Sequence, residues 1–281
     1  MKNIYTFLAL CILSSTAFAQ TPSCCAAVGQ FANFSHDIAF VKTHEDPIPF
    51  QLTGQLGKMQ TFACKDSSFA TVYTVQAEQP SNKYLLVFHE WWGLNDYIKQ
   101  TSDKLYTDLG KNVHVIAVDL YDGKVAANKD SAASYMQTLT YDRAAMIINS
   151  LMDKFGDDVE IATIGWCMGG GYSLQASLMA KERAVGCVMY YGFPETDKSK
   201  IANLSSDVLM IWPNQDKWIT KEVVDKFKSD MQAAGKNLQV EEYTADHAFA
   251  NPSNPKHDPV ITADANAKAL LFIKTHLKIA D

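Results

Sequence analysis

One cysteine stands where nucleophilic chemistry is built. Gly165-Trp166-Cys167-Met168-Gly169 follows an apolar run at 159–164 and opens a helical pattern at 168–181. A strand that turns sharply into a helix lifts the intervening side chain clear of the sheet. Such a turn has room only for small neighbours, which Gly165, Gly169, Gly170 and Gly171 supply. The helix N-terminus below it favours a thiolate and presents main-chain N–H groups to an oxyanion. Alone, the same pattern fits a glycine-rich bend around an inert thiol. Two further residues separate the readings. Asp216 lies just past an apolar run at 208–212, and His247 just past a predicted strand at 238–243. An imidazole at 247 could take the thiol proton while a carboxylate at 216 fixes its tautomer. Singly, Asp216 could cap the helix that follows and His247 could be an ordinary loop histidine, as His257 is read.

Glu90 is a fourth candidate. It ends the apolar run at 84–88 and is followed by Trp91 and Trp92, which argue for a shaped pocket rather than a solvated loop. A carboxylate buried there requires a donor such as a thiol or imidazole.

These residues need a scaffold that delivers strand ends to one place. The pattern from residue 69 onward provides it. Residues 69–75 alternate like an edge strand, while 84–88, 113–118, 159–164, 185–190 and 208–212 read as short continuous apolar strands. Between them lie helical patterns at 95–109, 131–155 (in two pieces), 168–181 and 220–234. A strand at 238–243 and a helix at 259–277 follow. Strands alternating with helices predict an α/β fold, a mainly parallel sheet covered on both faces, with sites at the carboxyl ends of its strands.

Together, His89-Glu90-Trp91-Trp92-Gly93-Leu94-Asn95, Asp119-Leu120-Tyr121, Gly165-Trp166-Cys167-Met168-Gly169-Gly170, Gln215-Asp216 and His247-Ala248-Phe249 resemble the dienelactone hydrolase family over roughly residues 69–277. The resemblance implies the α/β-hydrolase fold and hydrolysis of a small ester or lactone, with no metal and no cofactor. It implies Cys167 as nucleophile, His247 as base and Asp216 as its orienter. Glu90 would hold the resting thiol and then help release it as thiolate. The backbone N–H groups of Trp91 and Met168 would form the oxyanion hole. Members acting on dienelactone carry arginines after the Asp-Leu-Tyr segment and after the histidine motif. Here those places read Asp122-Gly123-Lys124 and Ala250-Asn251-Pro252. Lys124 would offer a point charge instead of a bidentate fork, Asn251 does not replace the second arginine, and Trp92 is a further candidate substrate contact. A non-catalytic envelope-binding module, and a peptidase or acyltransferase using the same triad, remain open alternatives.

Residues 1–19 have the layout of a secretory signal peptide: Lys2, an apolar run at 4–13, then Ala17-Phe18-Ala19. The expectation is an exported, periplasmic or secreted protein of 281 residues before cleavage, with no membrane span. Its net charge of −6, without a basic stripe, argues against nucleic acid as a partner. Residues 20–68 read as an irregular extension ahead of the domain at 69–281. Within it His36, Asp37, His44 and Glu45 lack a helical i, i+4 histidine pair and read as solvated surface. Export permits disulfides, and Cys64 is expected to pair with Cys24 or Cys25, while Cys187 reads as a buried core thiol.

Overall fold

Five apolar segments too short to be helices and buried on both faces form the centre of an eight-stranded sheet. The computed structural model describes residues 32–280. The extension contributes a short helix α1 (Ile38–Thr43) and strand β1 (Lys58–Ala63). The elements then run β2 (Phe69–Val75), β3 (Lys83–Phe88), α2 (Asp96–Asp108), β4 (His114–Val118), α3 (Lys129–Thr138), α4 (Tyr141–Met152), β5 (Glu160–Trp166) and α5 (Met168–Ala180). The chain finishes with β6 (Ala184–Tyr190), α6 (Lys198–Ala202), β7 (Asp207–Pro213), α7 (Lys221–Ala233), β8 (Leu238–Tyr243) and α8 (Pro259–His276). The sheet order is β1-β2-β4-β3-β5-β6-β7-β8. β1, β2 and β4 pair antiparallel; β4, β3, β5, β6, β7 and β8 run parallel.

Local chemistry fixes the helix ends. Asn95 Oδ1 accepts from the Ile98 N–H at 3.2 Å and starts α2. Asn128 and Ser131 form a reciprocal capping box on α3. Thr140 caps α4, so the helical pattern at 131–155 divides in two as expected. Asp258 caps α8, with Pro259 in its first turn.

The extension departs from the expectation of irregular chain. β1 adds an antiparallel strand to the sheet edge, exposed along most of its length and so without an apolar signature. Between α1 and β1 the chain is a strap pinned through its backbone: the Ile48 N–H donates to the Ser253 carbonyl, and the Leu52 and Leu56 N–H groups to Asp96 and Asp103 of α2. The strap thus crosses from the carboxyl ends of the strands down one flank of the domain. The expected signal peptide, and the cysteines proposed to pair with Cys64, lie outside the described residues. Cys187 is a fully buried thiol, as expected.

Candidate active site

Parallel strands deliver their carboxyl ends to one rim, and five of them supply the site. Glu90 follows β3, Cys167 β5, Tyr191 β6, Asp216 β7 and His247 β8, each within four residues of the strand end. The Cys167 turn is a strained elbow with φ 55° and ψ −120°. Its flanking glycines have no alternative: a Cβ at Gly165 would lie 2.0 Å from the Gly169 carbonyl oxygen, and one at Gly169 would lie 2.4 Å from the carbonyl oxygens of Phe88 and His89.

The three expected residues meet in a line. His247 Nδ1 lies 2.6 Å from Asp216 Oδ2, and His247 Nε2 lies 3.4 Å from Cys167 Sγ. Asp216 is itself held, its Oδ1 accepting from the Trp218 and Ile219 N–H groups at 2.9 and 3.1 Å. The carboxylate therefore fixes the proton of His247 on Nδ1 and leaves Nε2 to the sulfur. Burial opposes charge on Asp216, yet His247 and the two N–H donors hold its carboxyl below the usual range. Burial also opposes the imidazolium of His247, but Asp216 and Cys167 outweigh it and hold its pKa well above the ordinary value. Burial pushes the Cys167 thiol up, and the charge of Glu90 adds to this. His247 and the Met168 N–H pull the other way. Cysteine and histidine therefore share one proton as a coupled pair.

Glu90 is buried, but its partners differ from the thiol expected. Its Oε1 accepts from the Tyr191 hydroxyl at 3.0 Å, and its Oε2 from the Asn251 amide. The sulfur faces His247 instead. Burial raises the Glu90 carboxyl to about 7, against the hydrogen bonds of Tyr191 and Asn251 and the charge of His247. His89 steadies this loop: its Nε2 accepts from the Leu120 N–H at 3.1 Å, so its Nδ1 donates to the Glu90 carbonyl at 2.5 Å. Tyr191 and Asn251 were not among the residues expected at the site. Tyr191 stands at a strand end like the others, and Asn251 shares the His247 loop.

The larger surprise is the roof. The elbow lifts Cys167 clear of the sheet, yet the residue is only 1% exposed. Phe40 of α1, fully buried, packs with ring centroids 5.1 Å from Trp218, 5.3 Å from Trp91 and 6.1 Å from His247. His44 follows, 4.5 Å from Trp91 and 5.5 Å from His247. His44 is thus a buried site residue and not solvated surface, because α1 carries it over the sheet; His36, Asp37 and Glu45 are exposed. The His44 Nδ1 donates to the Phe40 carbonyl at 2.7 Å, and its buried Nε2 has no hydrogen-bond partner. Burial, then repulsion from His247, push its pKa down to about 3, so the ring is neutral. The Trp91 indole N–H is likewise buried and unpaired.

A cavity of about 1020 Å³ opens beside the site, lined by Glu90, Trp92, Asn251, Tyr190 and residues of α2 and α8. Trp92 therefore faces an available volume. Lys124 is not among its lining residues: it is exposed, with its ammonium 5.6 Å from the centre of the Tyr135 ring. Among the described residues no helix is long and apolar enough to cross a membrane.

Comparison with known proteins agrees with this architecture. The model of the dienelactone hydrolase family matches residues 70–277. Protein usf of Aquifex pyrophilus is 24% identical over 203 residues, covering 69% of this chain and 88% of that protein. Carboxymethylenebutenolidase 1 of Cupriavidus pinatubonensis is 22% identical over 201 residues, covering 66% and 83%. A dienelactone hydrolase-like promiscuous phosphotriesterase from metagenomic libraries superposes with a TM-score of 0.65 at 18% identity, covering 79% of this chain and 99% of that one. It shares the fold.

Proposed function

This chain belongs to the dienelactone hydrolase family, and from that premise we propose that it is an exported thiol hydrolase of a small ester or lactone. The observation that carries the proposal is the continuous line from Asp216 through His247 to Cys167, assembled on one rim beyond the carboxyl ends of β7, β8 and β5. His247 Nε2 takes the thiol proton, and the thiolate attacks the substrate carbonyl. The oxyanion forms against the N–H groups of Trp91 and Met168, each such donor being worth about 3–4 kcal/mol in the barrier. His247 then protonates the leaving alcohol, and afterwards removes a proton from the water that hydrolyses the thioester. Glu90 acts on the thiol through charge: ionised it opposes the thiolate, and protonated it permits it. The layout of residues 1–19 supports export.

Turnover of p-nitrophenyl acetate, beside the pH-dependent rate of Cys167 alkylation by iodoacetamide, tests this reading. Parallel loss of turnover on alkylation, and turnover abolished in Cys167→Ala with an unchanged circular dichroism spectrum, are expected. Undiminished hydrolysis by Cys167→Ala would overturn the mechanism.

A further inference from the structure

The proposed hydrolysis uses Cys167, Asp216 and His247 and leaves His44 without a task. Yet His44 presents a buried, unpaired ring nitrogen to the same point as the nucleophile and its base. One donor atom each from His44, Cys167 and His247 lies within 4.8 Å of the other two. We propose that Cys167 Sγ, His247 Nε2 and His44 Nε2 form a three-ligand binding site for Zn²⁺, occupied in competition with substrate.

Three independent features of the geometry support this. First, a sulfur and two imidazoles are a donor set suited to zinc, at Zn–S of about 2.3 Å and Zn–N of about 2.0–2.1 Å. Tetrahedral angles at those bond lengths put sulfur and nitrogen roughly 3.5 Å apart. The His247–Cys167 edge, at 3.4 Å, already has that length. His44 has to close by little more than about 1 Å to complete the other two edges.

Second, both rings are oriented as zinc-ligating histidines are. A ligating histidine ordinarily donates its other N–H to a carboxylate or carbonyl, which fixes the tautomer and aims the free lone pair. His247 Nδ1 is held by Asp216, and His44 Nδ1 by the Phe40 carbonyl. Third, a buried polar atom without a partner is costly, and His44 Nε2 is one of them. A cation at this point satisfies it.

Binding replaces the thiol proton with the metal, so one proton leaves for each ion taken up. With its sulfur coordinated and His247 Nε2 occupied, the protein has neither nucleophile nor base. Zn²⁺ therefore inhibits ester hydrolysis, and His44, carried by the extension, sets how tightly.

The experiment uses the full mature chain, reduced and stripped of metal with a chelator. Titration with Co²⁺ is expected to raise a thiolate-to-metal charge-transfer band in the near-ultraviolet that saturates at one equivalent and is bleached by Zn²⁺. Calorimetry with Zn²⁺ in buffers of different ionisation enthalpy is expected to report about one proton released per ion. The band should vanish in Cys167→Ala. In His44→Phe, which keeps an aromatic ring against Phe40 and Trp91, Zn²⁺ affinity and inhibition should weaken by more than about tenfold, since even outer partners of a zinc ligand are worth that much. X-ray absorption of the wild-type zinc complex needs no variant and should read one sulfur and two imidazoles. No charge-transfer band, a zinc shell without sulfur, or affinity unchanged in His44→Phe would each overturn the proposal. The Co²⁺ spectrum reads the site whether or not the protein turns over p-nitrophenyl acetate, so failure of one proposal is distinguishable from failure of the other.

Discussion

Replacing Glu90 by glutamine is the sharpest single perturbation of this site. A glutamate ordinarily titrates near 4.5, and burial raises Glu90 to about 7. Below pH 4.5 the carboxyl is neutral in the folded and unfolded chain alike, and the fold bears no penalty. Between 4.5 and about 7 the unfolded chain ionises while the folded chain holds its proton. Stability therefore falls by about 1.4 kcal/mol for each pH unit in that window, about 3 kcal/mol in all, and then levels off. For a chain of this size that is a fall in Tm on the order of 10 °C. Glutamine has no proton to lose, so Glu90→Gln lacks this fall. Its amide oxygen accepts from Asn251 and its N–H₂ donates to the Tyr191 hydroxyl, as the O–H of the protonated carboxyl must, so the hydrogen-bonding frame is kept. Urea denaturation of both proteins between pH 5 and 8.5 isolates the titration. The variant should match wild type to within about 1 kcal/mol at pH 5 and should gain about 2.5 kcal/mol on it by pH 8. A stability difference that stays constant across that range would refute the account of Glu90 as a buried, proton-holding carboxyl.

Asp216→Asn leaves the hydrogen-bonding frame but removes the charge that fixes the His247 tautomer, and kcat on p-nitrophenyl acetate should fall by on the order of 10³–10⁴. A loss below tenfold would remove Asp216 from the mechanism. Phe40→Ala empties the centre of the roof and should cost about 3–5 kcal/mol if the cavity stays open. Cys167 should then react faster with iodoacetamide, and an unchanged alkylation rate would mean that the roof does not shield the thiol. Gly169→Ala drives a Cβ into the Phe88 and His89 carbonyls and should unfold the elbow or the protein, seen as loss of soluble material or a sharply lowered Tm.

The parts legible in the sequence are those whose signal is local. The strands at the sheet centre announce themselves as apolar runs because both of their faces are covered. The elbow announces itself through the close spacing of its glycines, although only Gly165 is dictated by a neighbour in the turn, and Gly169 by the distant Phe88 and His89 carbonyls. β8 shows an alternating pattern and its bounds agree with expectation. Other parts depend on contacts far along the chain. β1, Lys58–Ala63, is an exposed edge strand with nothing apolar to repeat. α1 has six residues, too few for a helical period to stand out, and its one fully buried side chain is Phe40. His44 was therefore indistinguishable from the polar residues beside it until the fold placed it. Tyr191 and Asn251 were legible in principle. The strand-end reasoning that singles out Cys167, Asp216 and His247 applies equally to the end of β6, and Asn251 lies four residues past His247.

The roof has a consequence for how the chain is made. His44 and His247 sit near opposite ends of the described chain, so their contact is among the longest-range ones in the fold. Loop closure of that length is entropically unfavourable until the intervening sheet exists. We therefore expect the nucleophile to be complete before its cover docks. During that interval an exported protein would carry an uncovered thiol through an oxidising compartment. Refolding in the presence of iodoacetamide should label Cys167 in a burst that the folded protein does not show, and equal labelling of folded and refolding protein would argue that the roof closes together with the sheet.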